Sequence, residues 1–105
     1  MRYAFHPEAR LEYLDAAAYY AAARPGLGAE FSREIESVIA QICEAPTRWG
    51  FFEQDVRRCL ARRFPFAVLY SIEGDYLLIV AIMHCSREPG YWRRRVGQNP
   101  PSAPL

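Results

Sequence analysis

The pattern of apolar and polar positions predicts a strand, then two helices, then further strands. Aromatic residues alternate with other residues over 2–6, which is typical of a strand. Pro7 opens a helix that runs to about Ala23, because proline is tolerated at the first helical position. The segment 24–28 contains one proline and two glycines, so we expect it to end that helix.

A second helix is predicted over 29–44, because apolar residues recur there at intervals of three and four positions. These apolar residues are Phe31, Ile35, Val38, Ile39 and Ile42. Pro46 marks the end of the helix. Since only about five residues connect the two helices, we expect them to form a hairpin.

Three strands are predicted in the second half of the chain, over 56–64, 66–72 and 76–84. A tight turn at Glu73-Gly74-Asp75 separates the last two strands. The last strand is apolar at every position over 77–83. A strand of this kind is covered on both faces, so we expect it to lie inside its sheet.

These elements give the order β-α-α-β-β-β and predict an α+β fold. The sheet is expected to be mostly antiparallel and to pack on the helical hairpin. We assign residues 1–96 to a single domain. Residues 97–105 contain three prolines, and we expect them to form a disordered tail.

The first predicted helix carries apolar residues on two nearly opposite sides. Stripe one consists of Leu11, Leu14, Ala18 and Ala22, and stripe two consists of Ala9, Tyr13, Ala16 and Tyr20. A two-layer domain of this size covers only one stripe with its own sheet, so the other must meet the second helix or a partner chain. Tyrosine has an apolar body and a polar tip. We therefore expect Tyr19 or Tyr20 to contact a protein partner.

Composition adds few constraints on function. The chain has 105 residues, 51% of them hydrophobic, which is enough for one small core. The net charge of +1 does not indicate a nucleic-acid or membrane ligand. All 13 basic residues are arginines, whose planar guanidinium group suits carboxylates, phosphates and aromatic faces.

The chain shows neither a signal peptide pattern nor an apolar run long enough to span a bilayer. We therefore expect a cytoplasmic protein that does not contact the membrane. Cys43, Cys59 and Cys85 are odd in number and have no CxxC spacing. We expect them to be small buried apolar residues in a reducing compartment, with no metal and no cofactor.

Three segments of the chain are similar, in order and spacing, to the motifs of one known family. Residues 5–9 (FHPEA), followed by Leu14, are similar to its strand-to-helix opening. Residues 62–70 (RRFPFAVLY) are similar to its central hairpin, and residues 79–89 (IVAIMHCSREP) to its ending. On these motifs, over about residues 2–95, the chain resembles the ParE/RelE superfamily and is closer to ParE.

This resemblance implies the toxin of a type II toxin–antitoxin system, also described as a plasmid-stabilisation protein. It implies as partner a ParD-like antitoxin with a DNA-binding N-terminal half and a flexible C-terminal half that wraps the toxin. We expect a hetero-oligomer with that antitoxin and no direct DNA binding by the toxin alone. ParE-like toxins block DNA gyrase, so we expect growth inhibition by protein binding rather than catalysis.

A RelE-like endoribonuclease that cuts mRNA on the ribosome is the alternative function. Such cleavage needs a base, an acid and a cation on the phosphate. His84 as base, Tyr91 as acid, and Arg62 or Arg87 on the phosphate form a conceivable catalytic site. The low net charge and the absence of lysine favour the ParE-like function. An inactive toxin kept only for antitoxin binding is a third alternative.

Several of these candidate residues also fit purely structural roles. His84 fits a cap at the end of its strand, and Tyr91 and Trp92 fit a C-terminal piece packed back on the domain. Arg93-Arg94-Arg95 is either a flexible basic tail or a site for acidic antitoxin residues.

Four further arginines, Arg57, Arg58, Arg62 and Arg63, are expected along one strand. Alternation then places Arg58 and Arg62 on one face, and Arg57 and Arg63 on the other. The predicted partner-binding residues are Tyr13, Tyr19, Tyr20, Arg62, Arg63, Arg87, Trp92, Arg93, Arg94 and Arg95.

Overall fold

Two helices pack on one face of a five-stranded sheet in the computed structural model, which describes residues 1–96. The helices are α1 (Pro7–Ala23) and α2 (Leu27–Glu44). The strands are β1 (Arg2–Phe5), β2 (Phe51–Glu53), β3 (Val56–Leu60), β4 (Phe66–Glu73) and β5 (Tyr76–His84). The predicted α+β fold is therefore confirmed. The predicted order lacked β2, and the tail predicted over 97–105 lies outside the described residues.

The strands are arranged in the order β1-β5-β4-β3-β2. β1 runs parallel to β5, and the other neighbouring pairs are antiparallel. The helices cover one face of β5, and residues 91–96 pack against the other. Seven apolar positions in succession fit this environment, so the predicted position of β5 inside the sheet is confirmed.

A bulge interrupts the pairing of β5 with β4. Leu69 pairs with Ala81 and Tyr70 pairs with Ile79, which leaves Val80 as an extra residue in β5. On the other side of β5, β1 ends at Phe5, whose partner is Ile79. The part of β5 that follows therefore has no strand on that side, and its backbone groups need other partners.

The two helices form the predicted hairpin, and they approach each other closely where α2 begins. Gly26 adopts a φ of 83°, a left-handed conformation that glycine accepts without strain. A Cβ on Gly28 would lie 2.7 Å from the carbonyl oxygen of Ala17 and 2.8 Å from the Cβ of Ala21. The absence of a side chain at Gly28 thus allows this contact with α1. Neither helix is long and apolar enough to cross a membrane.

Only stripe two of α1 is covered. Ala9 is fully buried, and Tyr13, Ala16 and Tyr20 are half-buried against α2 and the sheet. Stripe one points away from both, because α2 and the sheet lie on the same side of α1. The stripe that a partner can reach is therefore stripe one, not stripe two.

The predicted strand over 56–64 is too long. β3 ends at Leu60, and the chain then bends towards Phe66, where β4 begins. The carboxylate of Glu34 on α2 accepts hydrogen bonds of 2.8 Å from the backbone amides of both Arg62 and Arg63. These amides bond to a side chain instead of a strand, so the predicted alternation of Arg58 with Arg62 is wrong.

Candidate functional site

An exposed apolar surface follows one side of α1, and we call it the α1 face. It consists of Leu11, Leu14, Ala18, Tyr19 and Ala22, with Asp15 among them. Leu11 is 56% exposed, Leu14 is 44% exposed and Tyr19 is 70% exposed. Adjacent large apolar side chains in water are typical of a surface that another molecule covers.

An aromatic cleft adjoins the α1 face, because Tyr19 belongs to both. Its walls are Ala16, Tyr19, Tyr20, Phe66 and His84, and its volume is about 380 Å³. The rings of Tyr19 and Tyr20 meet edge to face at 5.3 Å, and those of Phe66 and His84 at 5.1 Å. The cleft is suited to an apolar or aromatic side chain from a partner.

Among the three predicted partner-binding tyrosines, Tyr19 is the exposed one. The hydroxyl of Tyr13 donates a 2.8 Å hydrogen bond to Glu36 on α2, and burial raises the pKa of Tyr13. The ring of Tyr20 lies 5.2 Å from that of Phe31 and 4.9 Å from that of Phe64. Tyr13 and Tyr20 therefore hold the hairpin on the sheet, and Tyr20 also presents one edge to the cleft.

His84 interacts with the turn that follows β5. Its Nδ1 accepts a 3.0 Å hydrogen bond from the backbone amide of Ser86 and lies 2.7 Å from the Ser86 hydroxyl. An amide can only donate, so Nδ1 carries the lone pair and the neutral ring is protonated at Nε2. In this arrangement His84 has no free lone pair with which to act as a base.

Arg87 and Tyr91 lie together, apart from His84 and Arg62. The guanidinium of Arg87 lies 3.7 Å above the ring of Tyr91, and both residues line a depression beside α1. Burial raises the pKa of Tyr91 strongly, and nearby Glu12 raises it further. His84 lines the aromatic cleft, and Arg62 lines a third depression beside α2. The four candidate nuclease residues are thus distributed over three depressions.

The three arginines at the C-terminal end of the described chain are engaged within the molecule. They form a 3-10 turn (Arg93–Arg95) rather than a flexible tail, and each pairs with its own carboxylate. Nitrogen–oxygen distances are 2.8 Å for Arg93 to Glu53, 2.6 Å for Arg94 to Glu8 and 2.8 Å for Arg95 to Glu12. The sequence suggested that these arginines could bind acidic residues of an antitoxin. In the structure, carboxylates of the chain itself occupy them.

Arg95 is buried. Together with Glu12 it forms hydrogen bonds to backbone groups of β5 that have no neighbouring strand. The Arg95 side chain is 4% exposed and donates a 3.0 Å hydrogen bond to the carbonyl of Val80, the bulged residue. Glu12 accepts a 3.0 Å hydrogen bond from the amide of Ile82. The ion pair thus satisfies backbone groups of β5 beyond the end of β1. Trp92 is also buried, so it is not available to a partner.

The depression that Arg62 lines, which we call the arginine groove, lies between α2 and β3 and has a volume of about 440 Å³. Its arginines are Arg33, Arg48, Arg62 and Arg63. Arg63 contacts Glu34 and Glu30 at 3.4 Å and 3.5 Å. Arg33 and Arg48 could not be selected from the sequence, because they are distant in the chain and follow no local pattern.

The cysteines differ in exposure, contrary to the expectation that all are buried. Cys59 is buried, Cys43 is half-buried and Cys85 is exposed. Burial raises the pKa of both Cys43 and Cys59, which keeps their thiols protonated. Within residues 1–96, no three histidine, cysteine or acidic side chains are grouped so as to hold a metal ion.

Comparison with known proteins gives one family and a shared fold. The family model described as ParE toxin of type II toxin-antitoxin system, parDE, matches residues 3–89. A solved structure, the chromosomal ParDE TA system from P. aeruginosa, is similar with a TM-score of 0.71 and 15% sequence identity. The match covers 80% of this chain and 95% of that one, and at this identity it shows the fold alone. No curated protein sequence matches the chain.

Proposed function

The chain belongs to the ParE toxin family of type II toxin–antitoxin systems, and from this premise we propose that it inhibits growth by binding DNA gyrase. We further propose that a cognate antitoxin neutralises it, and that both proteins act in the cytoplasm. The α1 face carries the antitoxin part of this proposal, because a surface of Leu11, Leu14 and Tyr19 suits contact with another protein.

The placement of the candidate catalytic residues supports binding over RNA cleavage. Arg62, His84 and the Arg87–Tyr91 pair line separate depressions, whereas cleavage requires base, acid and cation around one phosphate. Nδ1 of His84 is occupied by the Ser86 amide. The net charge of +1 also gives little general attraction to ribosomal RNA.

The proposed antitoxin covers the α1 face and inserts a side chain into the aromatic cleft. A flexible segment that folds on binding loses conformational entropy, and burial of apolar surface offsets that loss. The antitoxin is expected to be ParD-like and to supply the DNA-binding part. The complex is then a hetero-oligomer, and the toxin alone does not bind DNA.

The target is tested by inducing the chain in a bacterial host and pulse-labelling DNA and protein synthesis during the first minutes. We expect DNA synthesis to stop first while translation continues, followed by inhibition of purified gyrase. If translation stops first, the gyrase proposal is wrong, and His84, Arg87 and Tyr91 become the residues to mutate. If neither process changes, the chain is inactive in that host.

The role of the α1 face is tested in the same strain by co-expressing the product of the adjacent gene as antitoxin. We expect Leu11→Gln/Tyr19→Gln to arrest growth when expressed alone, and the antitoxin to restore growth with the wild-type toxin but not with this variant. Glutamine is a good helix former, so α1 itself should persist. The matched control is Phe51→Thr, since Phe51 is 62% exposed on β2 rather than α1. Equal rescue of both variants would exclude the α1 face as the docking surface.

A further inference from the structure

Three arginines without a carboxylate partner line the arginine groove together. The run Arg93–Arg95 is neutralised by three carboxylates of the chain, as described above. By contrast, no carboxylate oxygen within residues 1–96 lies within 4.0 Å of the guanidinium groups of Arg33, Arg48 or Arg62. These three arginines come from different parts of the chain and line one groove.

Part of the lining of the groove is apolar. Val38 of α2 and Cys59 of β3 are almost fully buried there, whereas Leu60 is 55% exposed. Trp49 is half-buried, and the Arg48 guanidinium lies 5.3 Å from its ring centre. The groove therefore combines guanidinium donors with patches of apolar surface.

An open strand edge borders the groove. β2 pairs with Val56 and Arg57 of β3, the amide of Arg58 donates a 3.4 Å hydrogen bond to the carbonyl of Gly50, and the register of β2 includes no partner for Leu60. The Leu60 end of β3 consequently has no strand on its outer side within the described part of the chain. Such an edge is where an extended peptide can add its own backbone hydrogen bonds.

We propose that the arginine groove binds an acidic, partly apolar peptide segment of a partner protein in an extended conformation. Arginine binds carboxylates with charge-assisted and often bidentate hydrogen bonds. Arg33, Arg48 and Arg62 form no such bond within residues 1–96. In an extended peptide alternate side chains point to opposite sides. Acidic residues can then meet the arginines while apolar residues contact Leu60 and Trp49. This is a second surface, separate from the α1 face, and it does not depend on the target of the toxin.

A peptide fits this groove better than a nucleic acid does. Glu30 and Glu34 also line the groove, and their carboxylates repel a continuous row of phosphates. Burial of Glu34 acts to raise its pKa, but hydrogen bonds from the amides of Arg63 and Arg62 outweigh it and lower the pKa. Glu34 therefore remains charged at neutral pH. A peptide can place its acidic residues only where the unpaired arginines lie.

The test measures fluorescence anisotropy of a labelled peptide with the purified full chain. The probe alternates glutamate and leucine over about ten residues, roughly 33 Å when extended. We expect it to bind, and Arg33→Gln/Arg62→Gln to weaken binding by about tenfold for each arginine removed. The matched control is Arg10→Gln/Arg58→Gln, which removes the same charge from two exposed arginines outside the groove.

Three outcomes would overturn the proposal. The first is that the peptide does not bind to the wild-type chain. The second is equal weakening in both double variants, which would show attraction to net charge or binding at the α1 face near Arg10. The third is that a single-stranded oligonucleotide of similar length binds more tightly than the peptide and depends on Arg33 and Arg62, which would make the groove a nucleic-acid site. Circular dichroism of each variant verifies that the fold is intact.

Discussion

His6 connects β1 to α1, and both its backbone amide and its imidazole ring form hydrogen bonds at that junction. Its backbone amide donates a 2.9 Å hydrogen bond to the carbonyl of Ile79, and its Nδ1 accepts a 3.1 Å hydrogen bond from the amide of Glu8. The side chain thus caps the first turn of α1. Burial lowers the pKa of His6, and the nearby positive charge of Arg95 lowers it further. The folded chain therefore favours the neutral ring, which leaves Nδ1 free to accept.

This arrangement predicts a loss of stability in mild acid. Since the folded-state pKa lies below the ordinary value of about 6.5, the unfolded chain binds the proton first. The stabilisation is therefore complete above about pH 6.5 and is lost as the pH falls through the lower folded-state pKa. Urea unfolding between about pH 7.5 and 5.5 should show this decrease, and His6→Asn, which keeps a capping side chain, should reduce the slope. An unchanged slope in the variant would assign the effect to other groups.

Glu12 and Arg95 link three elements: α1, β5 and the C-terminal turn. Removing Arg95 leaves the largely buried carboxylate of Glu12 without its main counter-ion and the carbonyl of Val80 without its side-chain hydrogen bond. We therefore expect Arg95→Met to lower the free energy of unfolding by about 3–5 kcal/mol. Arg94→Met is the matched control, because Arg94 also pairs with α1 but its side chain is 62% exposed. Its loss should cost less than about 1 kcal/mol.

Chemical denaturation of both variants at neutral pH measures this difference. Equal losses would mean that the Glu12–Arg95 pair contributes no more than a surface ion pair. A large loss for Arg95→Met alone would show that the ion pair acts in place of a strand beside Val80 and Ile82.

Elements with a strong local period could be predicted from the sequence, and long-range pairings could not. The apolar spacing of α2 and the uninterrupted apolar run of β5 each indicated the observed element. β2 has only three residues, and the Val80 bulge has no sequence pattern of its own. Glu12 and Arg95 are 83 positions apart, so no spacing connects them. For the same reason, the Arg93–Arg95 run suggested an open basic site, whereas no pattern in the sequence placed Arg33 and Arg48 beside Arg62.

Although the net charge of the whole molecule is only +1, its surfaces differ in polarity and charge. The α1 face is apolar, the arginine groove has unpaired positive charge, and the C-terminal turn is neutralised by the chain's own acids. A toxin with these surfaces is suited to two kinds of protein contact at once, one apolar and one acidic.

The open α1 face also predicts how the lone chain behaves in solution. Leu11 and Leu14 lie one turn apart, and a second copy can cover both with its own α1 face. We expect the purified chain to associate increasingly as its concentration rises, and Leu11→Gln/Leu14→Gln to remain monomeric. Sedimentation velocity over a concentration series measures this, with Phe51→Thr as a control that should associate like the wild type. A wild-type chain that stays monomeric at every concentration would mean that the α1 face does not drive self-association. The case for a protein partner on α1 would then rest only on loss of antitoxin rescue in the Leu11→Gln/Tyr19→Gln variant.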